Sequence, residues 1–287
     1  MIALIRTEFT KAARRTRTLA IGLILVGLPT LIVVAIKAHG NRPDRNDNGN
    51  GNGEGLFRLA QQSGLLVPAA VLAAMSGFLL VVIAGTFAGD SVAGDAAWGN
   101  LRYLLMRPVA RGRLLVAKAF VAGVLIWVAT IVVALAGLVA GIILFGVHPI
   151  TVPTVRVVGG GVLPLGGFHL ANGALLARTA LATAYVAFGF TALLALGTLF
   201  STLTDTAASA IGATIGVYIV SEILDAISQL GRIRYGFPTH YQDSWQSMLI
   251  DNRFSHDMVA GIVVQVAYVV VFGGAALIWF RRKDIRS

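Results

Sequence analysis

Apolar residues run along this chain in long blocks, and polar residues collect between the blocks instead of alternating with them. A helix of about 20 residues, rising about 1.5 Å per residue, crosses the ~30 Å hydrocarbon core of a bilayer. Six blocks reach or approach that length, at residues 19–36, 65–88, 116–147, 181–200, 207–227 and 259–279. Pro29 lies inside the first and predicts a kink or a local break in its ladder; Pro68 opens the second. The third is too long for a straight crossing and is expected to start in the interface and tilt. Residues 201–205 form a tight polar turn, so the fourth and fifth blocks read as a helical hairpin.

Between the blocks the pattern changes. In residues 1–18, Ile5, Phe9, Ala12 and Ala13 share one helical face, and Arg6, Lys11, Arg14, Arg15 and Arg17 make the rest basic. That is the pattern of an amphipathic helix lying in the membrane interface. Residues 38–63 are the most polar stretch and include NRPDRNDNGNGNGEG, a flexible loop, with a short helix expected over 57–62. Residues 148–173 hold three prolines and GGGVLPLGG and are expected to be irregular, with a helix starting over 174–179. Residues 228–258 are polar. Tyr241 and Trp245 there suggest an interfacial belt, and 243–250 a short surface or re-entrant helix.

Composition turns this pattern into a class. The chain is 56% hydrophobic and only 13% charged, against roughly 25% charged in a soluble domain. The expectation is an all-α polytopic membrane protein of six spans, one domain over residues 1–287. The first block is long enough to span and follows a basic segment, so it is expected to remain in the membrane. With no cysteine, disulfides and thiol chemistry are excluded. The net charge of +10 is assigned to helix ends and anionic lipid, and no nucleic-acid partner is expected. Six spans put both termini on one side. Arginine and lysine crowd residues 1–18, the loop between spans two and three, and the tail from Arg281. On the opposite side, cations in the longer loops are offset by acids. The positive-inside rule makes the first set cytoplasmic, with loops 38–63 and 228–258 extracytoplasmic and the protein in the cell membrane.

Catalytic motifs are missing. The sequence has no GxxxxGK[ST], HExxH or GxSxG. His39, His148, His169, His240 and His256 are scattered without ligand spacing, so no metal site, cofactor site or catalytic residue is expected on this chain. Charges are nearly absent from the spans. The exceptions are Asp90 at the inner end of span two and the pair Glu222 and Asp225 at the outer end of span five. That pair lies three residues apart on one helical face. It reads either as a cation or proton site or an outer gate, or as a polar helix end paired with Arg232 or Arg234.

One stretch stands apart. Residues 85–120 read GTFAGDSVAGDAAWGNLRYLLMRPVARGRLLVAKAF. An acid, Asp95, precedes a turn at Trp98-Gly99-Asn100. A compact apolar-plus-arginine helix follows from Leu101 to Met106, then Arg107-Pro108-Val109-Ala110-Arg111 and a second helix with Lys118 near its mouth. Together with the amphipathic amino-terminal helix and the six spans, this segment resembles the permease subunit of an ABC-2 type (type V fold) exporter. Asp95, Gly99, Leu101, Leu104, Leu105, Arg107, Pro108, Val109, Arg111, Leu114, Leu115 and Lys118 match that family's pattern; Trp98, Asn100 and Ala110 depart from it.

The resemblance implies that residues 90–113 are the cytoplasmic coupling segment, docking on a separate ABC ATP-binding subunit that carries ATP and magnesium. Asp95, Trp98, Gly99, Asn100, Leu101, Arg102, Leu104, Leu105, Arg107, Pro108 and Arg111 would make that contact. The leucines supply an apolar face, Trp98 an anchor, and the arginines charge-assisted bonds to acids. The resemblance further implies a second permease chain, the same or a sister, with the path between the two lined by spans one, two and five. Small residues (Gly189, Gly197, Gly212, Gly216) would allow close packing there, and an amphipathic drug, lipid or peptide would be the cargo. The competing readings are an ion- or proton-coupled secondary transporter, which would place charges centrally, and a membrane enzyme or scaffold.

Overall fold

The computed structural model describes residues 2–39, 56–57, 60–97, 110–158, 161–250 and 255–282. Among these, six helical segments are long and apolar enough to cross a membrane. The amphipathic helix α1 (Ile2–Ala13) leads, and after a turn at Arg14 and Arg15 comes span one, α2 (Thr16–His39). The Thr18 hydroxyl donates to the Ala12 carbonyl at 2.7 Å, satisfying one of the carbonyls left open at a helix end. Span one runs on as helix through Pro29.

Helix α3 (Val67–Ser76) begins with Pro68 in its first turn, where a missing N–H costs nothing. After Gly77 and Phe78, span two continues as α4 (Leu79–Ala97). Span three is α5 (Arg111–Phe145), about 52 Å of helix at ~1.5 Å per residue, well beyond the bilayer core, as its apolar run predicted. Span four is broken into α6 (Asn172–Gly189) and α7 (Thr191–Leu203), and span five is α8 (Ala207–Ala226). A cap of 3-10 turns spans Ser228–Gly236, Thr239–Tyr241 and Ser244–Gln246, followed by the one-turn α9 (Ser247–Ile250). Span six is α10 (His256–Arg282).

Residues 148–173 differ from expectation. They contain an antiparallel hairpin of β1 (Ile150–Val158) and β2 (Gly161–Leu170), in register from Ile150 opposite Leu170 to Val158 opposite Gly161, with an irregularity between Pro153 and Val155. β-branched residues dominate β1 and favour a strand. A two-stranded ribbon is all edge, so it tolerates Pro153 and Pro164 where a central strand would not.

Span two is the most deeply buried of the six. It packs on α7, α8 and α5, while α10 packs on α7 and α2 on α5. Glycines set the closest approaches. A Cβ on Gly89 would lie 2.8 Å from the Ile211 backbone nitrogen, and one on Gly197 2.4 Å from the Ala88 Cβ. Gly212 and Gly216 have nothing among the described residues within 4 Å of an added Cβ, so they make no close helix contact there. Spans one, five and six turn most of their apolar surface outward, as lipid-facing helices do.

Helix α1 and the last turn of α10 lie at one end of the bundle, the terminal end. The last turn of α10 packs Ala276 and Phe280 against Val92 of α4 and Leu115 of α5, and α1 lies on α5 nearby.

Candidate functional site

In the sequence, residues 98–109 link α4 to α5, and α4 ends and α5 begins at the terminal end. The two roots of this link, the last turns of α4 and the first turns of α5, are cross-linked by charge. Asp95, near the α4 carboxyl end, pairs with Lys118, two turns into α5; both side chains are only 3% exposed. Lys11 of α1 also pairs with Asp95. Arg15 pairs with Asp90 and reaches Asp95 at 3.6 Å. Arg17 at the start of α2 bonds Asp90 at 2.5 Å, and Glu8 of α1 bonds Lys118 at 3.1 Å. Four cations and three carboxylates therefore tie α1, the start of α2, α4 and α5 into one joint around a cleft of about 50 Å³.

Local sequence makes the joint possible. Glu8 and Lys11 are three apart on one side of α1, and Arg15 follows in the turn that ends it. Gly94 clears space for Asp90, since a Cβ there would sit 2.4 Å from Asp90 Oδ1. The buried Ser201 hydroxyl accepts the backbone N–H groups of both Val92 and Ala93, at 2.9 and 2.8 Å, tying this turn of α4 to the end of α7. A buried carboxylate is tolerated only when its lone pairs are taken and its charge is matched. Asp95 meets both conditions with two lysines and a nearby arginine.

Of the residues expected to contact a partner, Asp95 lies inside this joint and Arg111 opens α5 as an exposed side chain. Trp98, Gly99, Asn100, Leu101, Arg102, Leu104, Leu105, Arg107 and Pro108 lie outside the described residues. Lys11, Arg15 and Arg17, expected to face lipid headgroups, instead turn to carboxylates. Of the apolar face of α1, Ile5 and Ala12 pack on the core while Phe9 stays 40% exposed. The sequence signal available for the joint was the pair Asp90 and Asp95 in an otherwise apolar span, opposite a basic helix.

At the far end, Glu222 is exposed, and Asp225, one turn on, accepts from Arg234 Nε at 3.4 Å and lies 2.7 Å from His240 Nδ1. Asp225 thus pins the cap to span five, and its arginine partner is one of the two weighed from sequence. Arg178 of α6 adds a second charged contact, donating to the Leu249 carbonyl at 3.0 Å, and the other fastenings are neutral. Tyr218 donates to Gln242, whose amide donates to the Ser76 carbonyl at 3.2 Å. Tyr185 donates to the Tyr241 carbonyl at 3.0 Å. Gln265 of α10 accepts the Ala192 N–H at 3.0 Å, just past the break in span four, and donates to the Pro238 carbonyl at 3.4 Å. Phe190, at the break itself, has φ −81° and ψ 0°. Trp245 is fully buried and Tyr241 nearly so. They are core of the cap and not an interfacial belt, because the 3-10 turns fold them inward onto spans four and six. A pocket of about 220 Å³ lies beneath, between spans four, five and six and the cap.

The family model described as "ABC-2 family transporter protein" matches residues 2–285. No curated protein matches the chain.

Proposed function

The chain belongs to the ABC-2 family of transporter proteins, and from that premise we propose that it is the permease of an ATP-driven exporter, coupled through residues 90–113 to a separate ATP-binding subunit. ATP and magnesium would sit on that subunit; this chain supplies the membrane path. The terminal end would then face the cytoplasm of a cell-membrane protein, in keeping with its crowd of arginines and lysines. A second permease chain would complete the path, and the sparse charge of the spans suits an amphipathic drug, lipid or peptide.

The observation that carries this reading is the Asp95–Lys118 pair. A loop that merely linked two spans would not need its roots locked together inside the protein. Locked roots make the loop a lever. A push on residues 98–109 reaches α4 and α5 together, and α1 through Lys11 and Glu8. Because α4 also packs on α7 and α8, displacing its end bears on spans three, four and five at once, in the manner of rigid elements sliding between two packed states.

The test is co-expression with an ATP-binding partner, comparing wild type with the triple variant Trp98→Ala, Leu101→Asp, Leu105→Asp. The expected result is co-purification and transport-linked ATP hydrolysis with the wild type only. Equal retention of the partner by the triple variant would remove residues 98–109 from the coupling role. Glu222 and Asp225 would then be tested next, as parts of an ion-coupled carrier.

A further inference from the structure

Spans three, four and six enclose a groove of about 650 Å³, within the roughly 300–1,000 Å³ range of small-molecule sites. Its walls carry Val116 and Phe120 of α5, Phe188 and Leu194 of span four, and Val270 and Leu277 of α10. Thr191 and Thr198 also line it, but their hydroxyls donate to the carbonyls of Phe188 and Leu194 on their own chain segment, at 2.7 and 2.6 Å. The wall is therefore apolar throughout, and its open side is the lipid-facing surface where Val116, Phe120 and Val270 are exposed. Gly273 and Gly274 leave it wide, since an added Cβ on either meets nothing within 4 Å.

Two observations specify the occupant. The first is length. Along α10 the groove runs from Val266 to Leu277, about 16 Å of helix at ~1.5 Å per residue, or close to half of the ~30 Å hydrocarbon core. It is one leaflet deep and sits in the half of the bundle nearest the terminal end. The second is charge at its mouth. Arg281 is the next position on the α10 stripe after Leu277, and its guanidinium lies across Gly112, where a Cβ would meet Nε at 3.1 Å and Nη2 at 3.2 Å. Arg113 stands exposed one turn before Val116. Neither arginine forms an ion pair among the described residues.

We infer that this groove is a binding site for an anionic phospholipid, with one acyl chain in the groove and the phosphate held at Arg281 and Arg113. A guanidinium offers the bidentate fork that suits a phosphate, and the leaflet-deep apolar slot suits a chain anchored at headgroup level. The inference rests on the groove and its arginines and is independent of how the loop 98–109 is used.

The full-length protein is purified from mixed phosphatidylglycerol and phosphatidylcholine, and retained lipid is counted by native mass spectrometry. Wild type is expected to retain phosphatidylglycerol with a roughly tenfold or greater preference, the scale of two arginines acting near a membrane surface. Arg113→Gln with Arg281→Gln should abolish the preference while leaving phosphatidylcholine retention unchanged. Gly273→Phe with Gly274→Phe, filling the groove, should lower retention of both lipids. Gly27→Phe, on the exposed side of α2 with open space around it, should change neither. Thermal unfolding of each variant separates a lost site from a lost fold. A preference that survives the arginine changes, a filled groove that holds lipid like wild type, or cysteine cross-linking at Val270 showing a second copy seated there would each overturn the inference.

Discussion

At the terminal end, cations of α1 and α2 hold the carboxylates of α4, and a lysine of α5 completes the set. At the far end, mostly amides, phenols and carbonyls hold the cap over residues 228–250, with charged contacts at Asp225 and at Arg178 among the described residues. The contrast separates two kinds of attachment. A buried charge cluster is stiff because removing any member leaves another charge uncompensated. A set of neutral hydrogen bonds can be exchanged for water one at a time, each at modest net cost. The two helices that flank the proposed coupling loop are joined by the stiff attachment, and the cap beside the pocket between spans four, five and six is held by the exchangeable one.

The largest effect is expected from Asp95→Ala, which takes the carboxylate partner of Lys11 and leaves buried Lys118 with Glu8 alone. Loss of about 3–5 kcal/mol is expected for a broken buried pair, read as a fall in thermal stability in detergent. Asp95→Leu with Lys118→Leu should recover much of it. If the single change costs no more than a neutral substitution in the cap, the contrast between the two ends fails. Gln265→Leu comes next. It leaves the Ala192 N–H and the Pro238 carbonyl without their partner, a cost of about 1–3 kcal/mol. Faster amide exchange at the break in span four and in the cap, with the terminal end unchanged, would sharpen the comparison. The smallest effect is that of salt. Lys11 and Arg17 are each 38% exposed, and at 1 M salt the Debye length shrinks to about 3 Å. Their pairs should weaken by less than about 1 kcal/mol. Limited proteolysis within residues 1–18 should rise slightly with salt while cleavage in the cap does not.

Hydropathy alone located all six spans, because in lipid the apolar run and the element coincide. The hairpin of spans four and five and the helix at residues 2–13 also followed from local pattern. Family membership was legible in residues 85–120 together with the topology. What local pattern missed was tertiary. Asp90 read as a lone acid and Lys11, Arg15 and Arg17 as lipid contacts, since nothing in a linear sequence says which basic segment folds back on which span. The break at Phe190 carries no proline, only the weaker signals of Gly189 before it and Thr191 after it; Gln265, 75 residues later, satisfies the N–H beside it. Trp245 looked interfacial because aromatic residues in a polar loop usually are; only the fold of the cap shows it inside.

The charged joint also bears on how the chain enters the membrane as it is made. Span two is the least apolar of the six, and it carries Asp90 and Asp95. An aspartate near a span's centre costs roughly 2.5–3.5 kcal/mol on insertion scales, less toward its end. Arg17 precedes Asp90 by 73 residues, so the countercharges of the amino-terminal helix leave the ribosome first and are already at the interface when span two arrives. Lys118 follows 23 residues after Asp95 and closes the set from the other side. The order of charges along the sequence is thus also an order of synthesis, in which the segment least able to insert alone has three of its four cationic partners made in advance.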